Sequence, residues 1–218
     1  MPSWETLQNI STLVFDLDGT ISDPSLGIGR CFNYALTSHG FNEVSETQVA
    51  ATIGPPLDEA FSDLCPGVDQ ATILSLIRKY RERYADVGYT ENHIYPDVAE
   101  LLLTLYESGL QMGVCTSKRR DFAEKILSLF EVLPYFRFVD GGDVGIKKHD
   151  QLAGLLHRQE IDGSAIMIGD RAVDITAAKF NGLRSVGVLW GFGNLGELQK
   201  AGADVIFSNT SQLRQLGI

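Results

Sequence analysis

The spacing of apolar positions divides this chain into two textures, with the change falling near Asn92. Thr12-Leu13-Val14-Phe15 is a short apolar run rich in β-branched and aromatic side chains, which predicts a buried strand. The pattern then becomes helical. Leu26, Ile28, Cys31, Phe32, Ala35 and Leu36 recur at helical spacing, and Gly40 marks a stop. Ser45 and Gln48 have the spacing of a capping box, which predicts a second helix. Gly54-Pro55-Pro56 must be a loop, with Pro56 in the first turn of a short helix through Phe61 and Leu64. Asp69 is placed to cap the next helix, with Ile73, Leu76, Ile77 and Tyr80 on one face and Lys79, Arg81, Glu82 and Arg83 towards water. The stretch to Tyr89 closes this piece. From Ser22 to about Asn92 the pattern predicts helices and no strand.

Beyond Asn92, strands and helices alternate. Helices are expected over Asp97–Ser108, Asp121–Leu129, Asp150–Arg158 and Val173–Phe180. Strands are expected over Gln111–Cys115, Phe136–Val139, Ala165–Ile168, Ser185–Val188 and Asp204–Ile206. Such alternation implies an α/β fold, a parallel sheet covered on both faces. The expected organisation is a core made of residues 1–21 and 93–218, interrupted by an all-helical cap at residues 22–92. An insertion just after the first strand overhangs the carboxyl edge of a parallel sheet, where open sheets bind ligands. It is placed to be a lid.

Composition narrows the partners. With 218 residues, 44% of them hydrophobic, the chain has ample material for a core. A net charge of −10 argues against nucleic acid and against an anionic membrane surface. No apolar run approaches the ~20 residues needed to cross a bilayer, and no secretory signal opens the chain. Three scattered cysteines, Cys31, Cys65 and Cys115, favour reduced thiols and a cytoplasmic location over a disulfide framework or zinc site. The oligomeric expectation stays at monomer or homodimer.

Candidate chemistry gathers at the predicted strand ends. Asp16 and Asp18 follow the first strand, with Gly19 to let the backbone turn close to a ligand and Thr20 to hold the turn. Thr116 and Ser117 end the strand after Cys115, as oxyanion donors or as a simple turn. Lys147 and Lys148 precede a helix; Lys148 is favoured by its spacing as the inward one, with Lys147 in reserve. Asp170 ends a further strand, and Asp174 lies one helical turn on, so both carboxylates can point at one centre. Four clustered carboxylates against one lysine would raise their own pKa values unless a metal joined them. Oxygen donors without His or Cys select a hard cation, and Mg²⁺ suits a site that also holds phosphate. Asp16 is then the candidate nucleophile towards phosphorus, and Asp18 the group that protonates the leaving alcohol and later activates water.

Asp-x-Asp-Gly-Thr at a strand end, a later strand ending in Thr, a lysine before a helix, and Gly169-Asp170 followed by Asp174 resemble the four motifs of the haloacid dehalogenase-like superfamily. The resemblance implies a Rossmann-like core and a Mg²⁺ site made by the Asp16 carboxylate, the Asp18 backbone carbonyl and Asp170. It also implies that Thr116 holds the transferring phosphoryl group, and that Asp174 supports the metal shell or the lysine. The helical insertion resembles the cap of the phosphoglycolate phosphatase-like and β-phosphoglucomutase-like group. Gly54-Pro55-Pro56-Leu57 is similar to the cap loop that faces substrate in its phosphatases. Many phosphoglycolate phosphatases have Lys-Pro at the third motif, whereas this chain has Lys147-Lys148-His149-Asp150. That departure weakens phosphoglycolate as the substrate.

The implied activity is a Mg²⁺-dependent phosphatase acting on a small phosphorylated metabolite. The alternatives are a 5'-nucleotidase- or pyrophosphatase-like hydrolase, a β-phosphoglucomutase-like phosphomutase, or a binding module that keeps the fold without turnover. His39, His93, His149 and His157 are dispersed without ligand spacing. Arg119 and Arg120 either meet substrate anions or, as expected of a helix's first turn, lie at the surface, and Trp190-Gly191-Phe192-Gly193 is either a rim of the site or a rigid packed turn.

Overall fold

The computed structural model describes residues 9–143 and 145–216. In chain order, β1 (Thr12–Phe15) leads through a tight turn to β2 (Ser22–Asp23), then to α1 (Ser25–Ser38), α2 (Glu46–Thr52), α3 (Leu57–Leu64) and α4 (Gln70–Asp86). The chain returns through β3 (His93–Ile94) and continues with α5 (Val98–Glu107), β4 (Gln111–Thr116), α6 (Arg120–Leu129), β5 (Phe138–Gly141) and α7 (Lys148–His157). It finishes with β6 (Ile166–Gly169), α8 (Ala172–Phe180), β7 (Arg184–Val188), α9 (Leu195–Ala201) and β8 (Val205–Phe207).

Six strands form one sheet in the order β5-β4-β1-β6-β7-β8, all parallel. Strand β1 sits in the middle, so the two-residue period of a strand sends its side chains into both layers. Leu13 and Phe15 join a core with Leu101, Val114, Ile126, Ile168 and Phe207. Val14 joins the opposite core with Cys115, Leu152, Leu155, Met167 and Ala178. Helices α1 to α4 close around a third apolar cluster in which Phe32 packs 4.8 Å from Phe61 and 5.0 Å from Tyr80. Phe122 of α6 is part of that cluster too, through an edge-on contact with Tyr84 at 5.1 Å. The caps are local and legible. Ser45 and Gln48 form the reciprocal box, and Asp69 accepts from Thr72 N at 2.8 Å.

The structure departs from the sequence pattern in several places. The helical stretch from Ser22 begins with a two-residue strand, because the chain leaves and re-enters the sheet at adjacent points and Ser22–Asp23 pairs antiparallel with His93–Ile94. Strand β5 is shifted two residues on from Phe136–Val139. Phe136 belongs to a tight turn, its N–H donating to Leu133 O, and pairing with β4 extends to Thr116 opposite Gly141. Helix α7 starts at Lys148 rather than Asp150, with Lys147 in an extended conformation at its N-cap. Helix α9 has no counterpart in the expectations, since its seven residues bury only Leu198 and follow a glycine-rich turn.

Candidate active site

The candidate side chains sit where the central strands stop. Asp16 follows β1, and its N–H donates to Ile168 O at 2.9 Å, so the sheet fixes its backbone. Thr116 ends β4, Asp170 follows β6, and Asp174 lies in the first turn of α8. Lys148, in the first turn of α7, is the lysine that turns inward; Lys147 is exposed. Lys148 Nζ lies 2.5 Å from Asp174 Oδ1 and 3.0 Å from Asp16 Oδ1, with its side chain 1% exposed. The second oxygen of Asp174 accepts from Arg171 N at 3.0 Å.

Carboxylates outnumber cations at this centre. Asp16, Asp170 and Asp174 are buried, with one oxygen of each within 4.8 Å of the others. Burial, then the neighbouring charges of Asp174 and Asp16, pushes the Asp170 carboxyl up to about 8. Burial also raises Asp174, despite the opposing pull of Lys148. Burial alone would pull the Lys148 ammonium down, yet the charges of Asp16 and Asp174 hold it well above its usual range. Asp16 Oδ1 faces the Lys148 ammonium, whereas Asp18 Oδ1 is buried without a hydrogen-bond partner. A buried all-oxygen cluster with more carboxylates than cations fits a hard divalent cation.

Glycine allows this crowding. Gly19 has φ +87°, and a Cβ there would collide with the Asp170 carboxylate; a Cβ on Gly191 would meet Asp170 and Gly19 O. The Trp190–Gly193 turn therefore clamps the two acidic loops together. Trp190 Nε1 donates to Thr20 O at 3.0 Å, and Phe192 N donates to Asp170 Oδ2 at 2.7 Å. Thr20 Oγ1 lies 3.5 Å from Asp170 Oδ1.

Asp18 stands apart from the three-carboxylate cluster. Its Oδ2 pairs with Lys118 Nζ at 2.8 Å, and that ammonium also donates to Tyr84 Oη of α4 at 2.7 Å. Burial raises the Asp18 carboxyl, against the pull of Lys118. The sequence pattern singled out neither Lys118 nor Tyr84 in this role. A lysine in the loop after Ser117 has no periodic signature, and Tyr84 reads as one more apolar position of α4. Gln151 was also missed; its Nε2 donates to Thr116 O at 3.1 Å and to Asp140 Oδ1 at 3.0 Å, bracing the ends of β4 and β5. Thr116 Oγ1 accepts from Lys118 N at 3.2 Å, which leaves its own proton to donate.

Above these residues lies a cavity of about 140 Å³ between the helical piece and the sheet. Asp16, Asp18, Thr116, Ser117 and Lys148 form its floor, and Gly54 and Pro55 lie on the opposite wall. The cap loop is tied down by Arg171, whose Nη1 donates to Ile53 O at 2.6 Å while Nε pairs with Glu197 at 3.0 Å. Arg119 lines the cavity and pairs with Asp121 at 2.9 Å, whereas Arg120 pairs with Glu124 at the surface. His149 is not at the cavity; its ring lies against Phe180 at 4.7 Å.

Comparison with known proteins agrees with this geometry. Residues 13–188 match the family model described as haloacid dehalogenase-like hydrolase, and the chain belongs to that family. It is a hydrolase of phosphatase type. It is 34% identical to a 5'-nucleotidase of Pseudomonas aeruginosa over 209 residues, 94% of either chain. It is 31% identical to a phosphoglycolate phosphatase of Vibrio parahaemolyticus over 222 residues, 97% of either chain. Among solved structures, a predicted phosphatase from Clostridium acetobutylicum superposes with a TM-score of 0.88 at 32% identity, covering 94% of this chain and 97% of that one. No described helix is long and apolar enough to cross a membrane.

Proposed function

We propose that this protein is a Mg²⁺-dependent phosphatase that hydrolyses a small phosphate monoester through an aspartyl-phosphate on Asp16, with residues 22–92 acting as its lid. The observation that carries the reading is Asp16 itself: a buried carboxylate lining the cavity, with its Oδ1 3.0 Å from the Lys148 ammonium. An oxygen of Asp16 attacks phosphorus as the ester P–O bond breaks, and Asp18 gives a proton to the departing alkoxide. Asp18 then takes a proton from water, which attacks the same phosphorus; the Asp16–phosphorus bond breaks and inorganic phosphate leaves. Lys148 and the Thr116 hydroxyl hold the phosphoryl oxygens in place, joined by backbone N–H groups near Ser117. Gly19 and Thr20 shape the turn that presents Asp18, and Gly54 and Pro55 face the leaving group. Asp16, the Asp18 carbonyl and Asp170 would hold Mg²⁺, with Asp174 steadying Lys148. When bound, the ion supplies the positive charge that offsets these carboxylates and the phosphoryl group.

The similarity to a 5'-nucleotidase and a phosphoglycolate phosphatase supports ester hydrolysis over transfer to a sugar. The test is a panel of phosphate monoesters assayed with Mg²⁺ and with chelator, reading inorganic phosphate. Mg²⁺-dependent release supports the reading. Metal-independent release, or turnover without phosphate accumulating, refutes it.

A further inference from the structure

The wall of the cavity above Asp16 differs from its floor. Ile28, Phe32, Tyr80, Tyr84 and Phe122 line it, all of them buried. Four cations touch the cavity, and each already sits on a carboxylate: Lys148 on Asp16 and Asp174, Lys118 on Asp18, Arg81 on Asp143 at 3.0 Å, and Arg119 on Asp121. Lys148 and Lys118 lie at the floor, where the phosphoryl group belongs. An anion on the leaving group would therefore meet cations whose charge is already offset by a carboxylate. It would also be desolvated against Ile28, Phe32 and Phe122, which offer it no hydrogen-bond donor. A ring or alkyl group loses nothing there and gains burial against five apolar side chains. The cavity volume of about 140 Å³ is close to that of an apolar cavity of about 150 Å³ that takes up benzene, and the phosphoryl group at the floor takes part of it, so the space suits a leaving group no larger than about one ring.

From this we infer that the enzyme selects esters whose leaving group is uncharged, apolar and about the size of one ring, and discriminates against a second anion such as a carboxylate or a further phosphate. The inference rests on the phosphatase reading and narrows its substrate class. The matched probes are phenyl phosphate and 4-carboxyphenyl phosphate, whose phenolate leaving groups are similar in basicity and differ in charge. With the Mg²⁺-loaded enzyme, kcat/KM for phenyl phosphate should exceed that for the carboxylated ester by at least about tenfold. The corresponding non-hydrolysable phosphonates, titrated calorimetrically, should show the same order of affinity. Equal values, or a preference for the carboxylated member in either measurement, overturn the inference. Hydrolysis of neither ester by an enzyme that releases phosphate from other monoesters also overturns the inference; failure of the whole panel refutes the phosphatase reading instead, and the phosphonate affinities still decide the preference.

Discussion

Replacing Lys148 with Met removes one charge while keeping most of the side-chain volume. In the folded protein that ammonium lies within 3.0 Å of both Asp16 and Asp174, almost wholly buried. Without it, Asp16, Asp170 and Asp174 share a buried site with no lysine among them. Breaking a buried pair by removing one partner typically costs about 3–5 kcal/mol, because the remaining charge stays desolvated. For a chain of this size about 1 kcal/mol corresponds to roughly 2–4 °C, so Tm should fall by about 6–20 °C without metal. Turnover should suffer as well, since loss of one preorganised charged contact costs about 10²–10³ in rate. Equilibrium unfolding and steady-state phosphate release measure the two effects. Lys147→Met is the control; that residue is exposed, so both quantities should stay near wild type, within about 0.5 kcal/mol in stability. A Lys148→Met protein with wild-type stability and turnover, or a larger loss in Lys147→Met, would show that Lys148 does not hold the acidic centre together.

Three further outcomes follow from the same geometry. Gly19→Ala should lose both turnover and about 1–3 kcal/mol or more of stability, because φ is +87° and the new methyl strikes the Asp170 carboxylate; activity assays and thermal melts check it. The folded-state carboxyl of Asp170 is raised to about 8, so the folded protein binds a proton more tightly than the unfolded chain. Without metal, stability should therefore fall as pH rises from the ordinary carboxylate range towards 8. Added Mg²⁺ should recover more Tm at pH 8 than at about pH 5, and Asp170→Asn should flatten the metal-free profile. Trp190→Phe keeps a ring but removes the donor to Thr20 O, and should cost about 1 kcal/mol by denaturant unfolding.

How far the sequence could be read depended on where the information was held. Strand β1 and the capping box at Ser45 are written in neighbouring residues, so pattern and structure coincide there. The end of β5 is decided by pairing with β4, which pattern alone does not contain, so its start moved from Phe136 to Phe138. Asp16, Asp170 and Asp174 were legible as a centre because acids at the ends of apolar strands have few other uses. Lys118 was not, since its role depends on Asp18 and on Tyr84, thirty-four positions away on another element. The Trp190–Gly193 turn stayed ambiguous for the same reason: its Nε1 and backbone N–H partners lie in two distant loops. Long-range pairing of polar groups carries no local periodicity, and that is where sequence reading stopped.

Rapid acid quench of the Mg²⁺-loaded enzyme during turnover, followed by peptide mapping, locates the phosphoryl group directly. It should lie on the peptide carrying Asp16, with Asp16→Asn showing neither adduct nor turnover. A phosphoryl group on any other residue, or sustained hydrolysis by Asp16→Asn, would contradict an aspartyl-phosphate on Asp16.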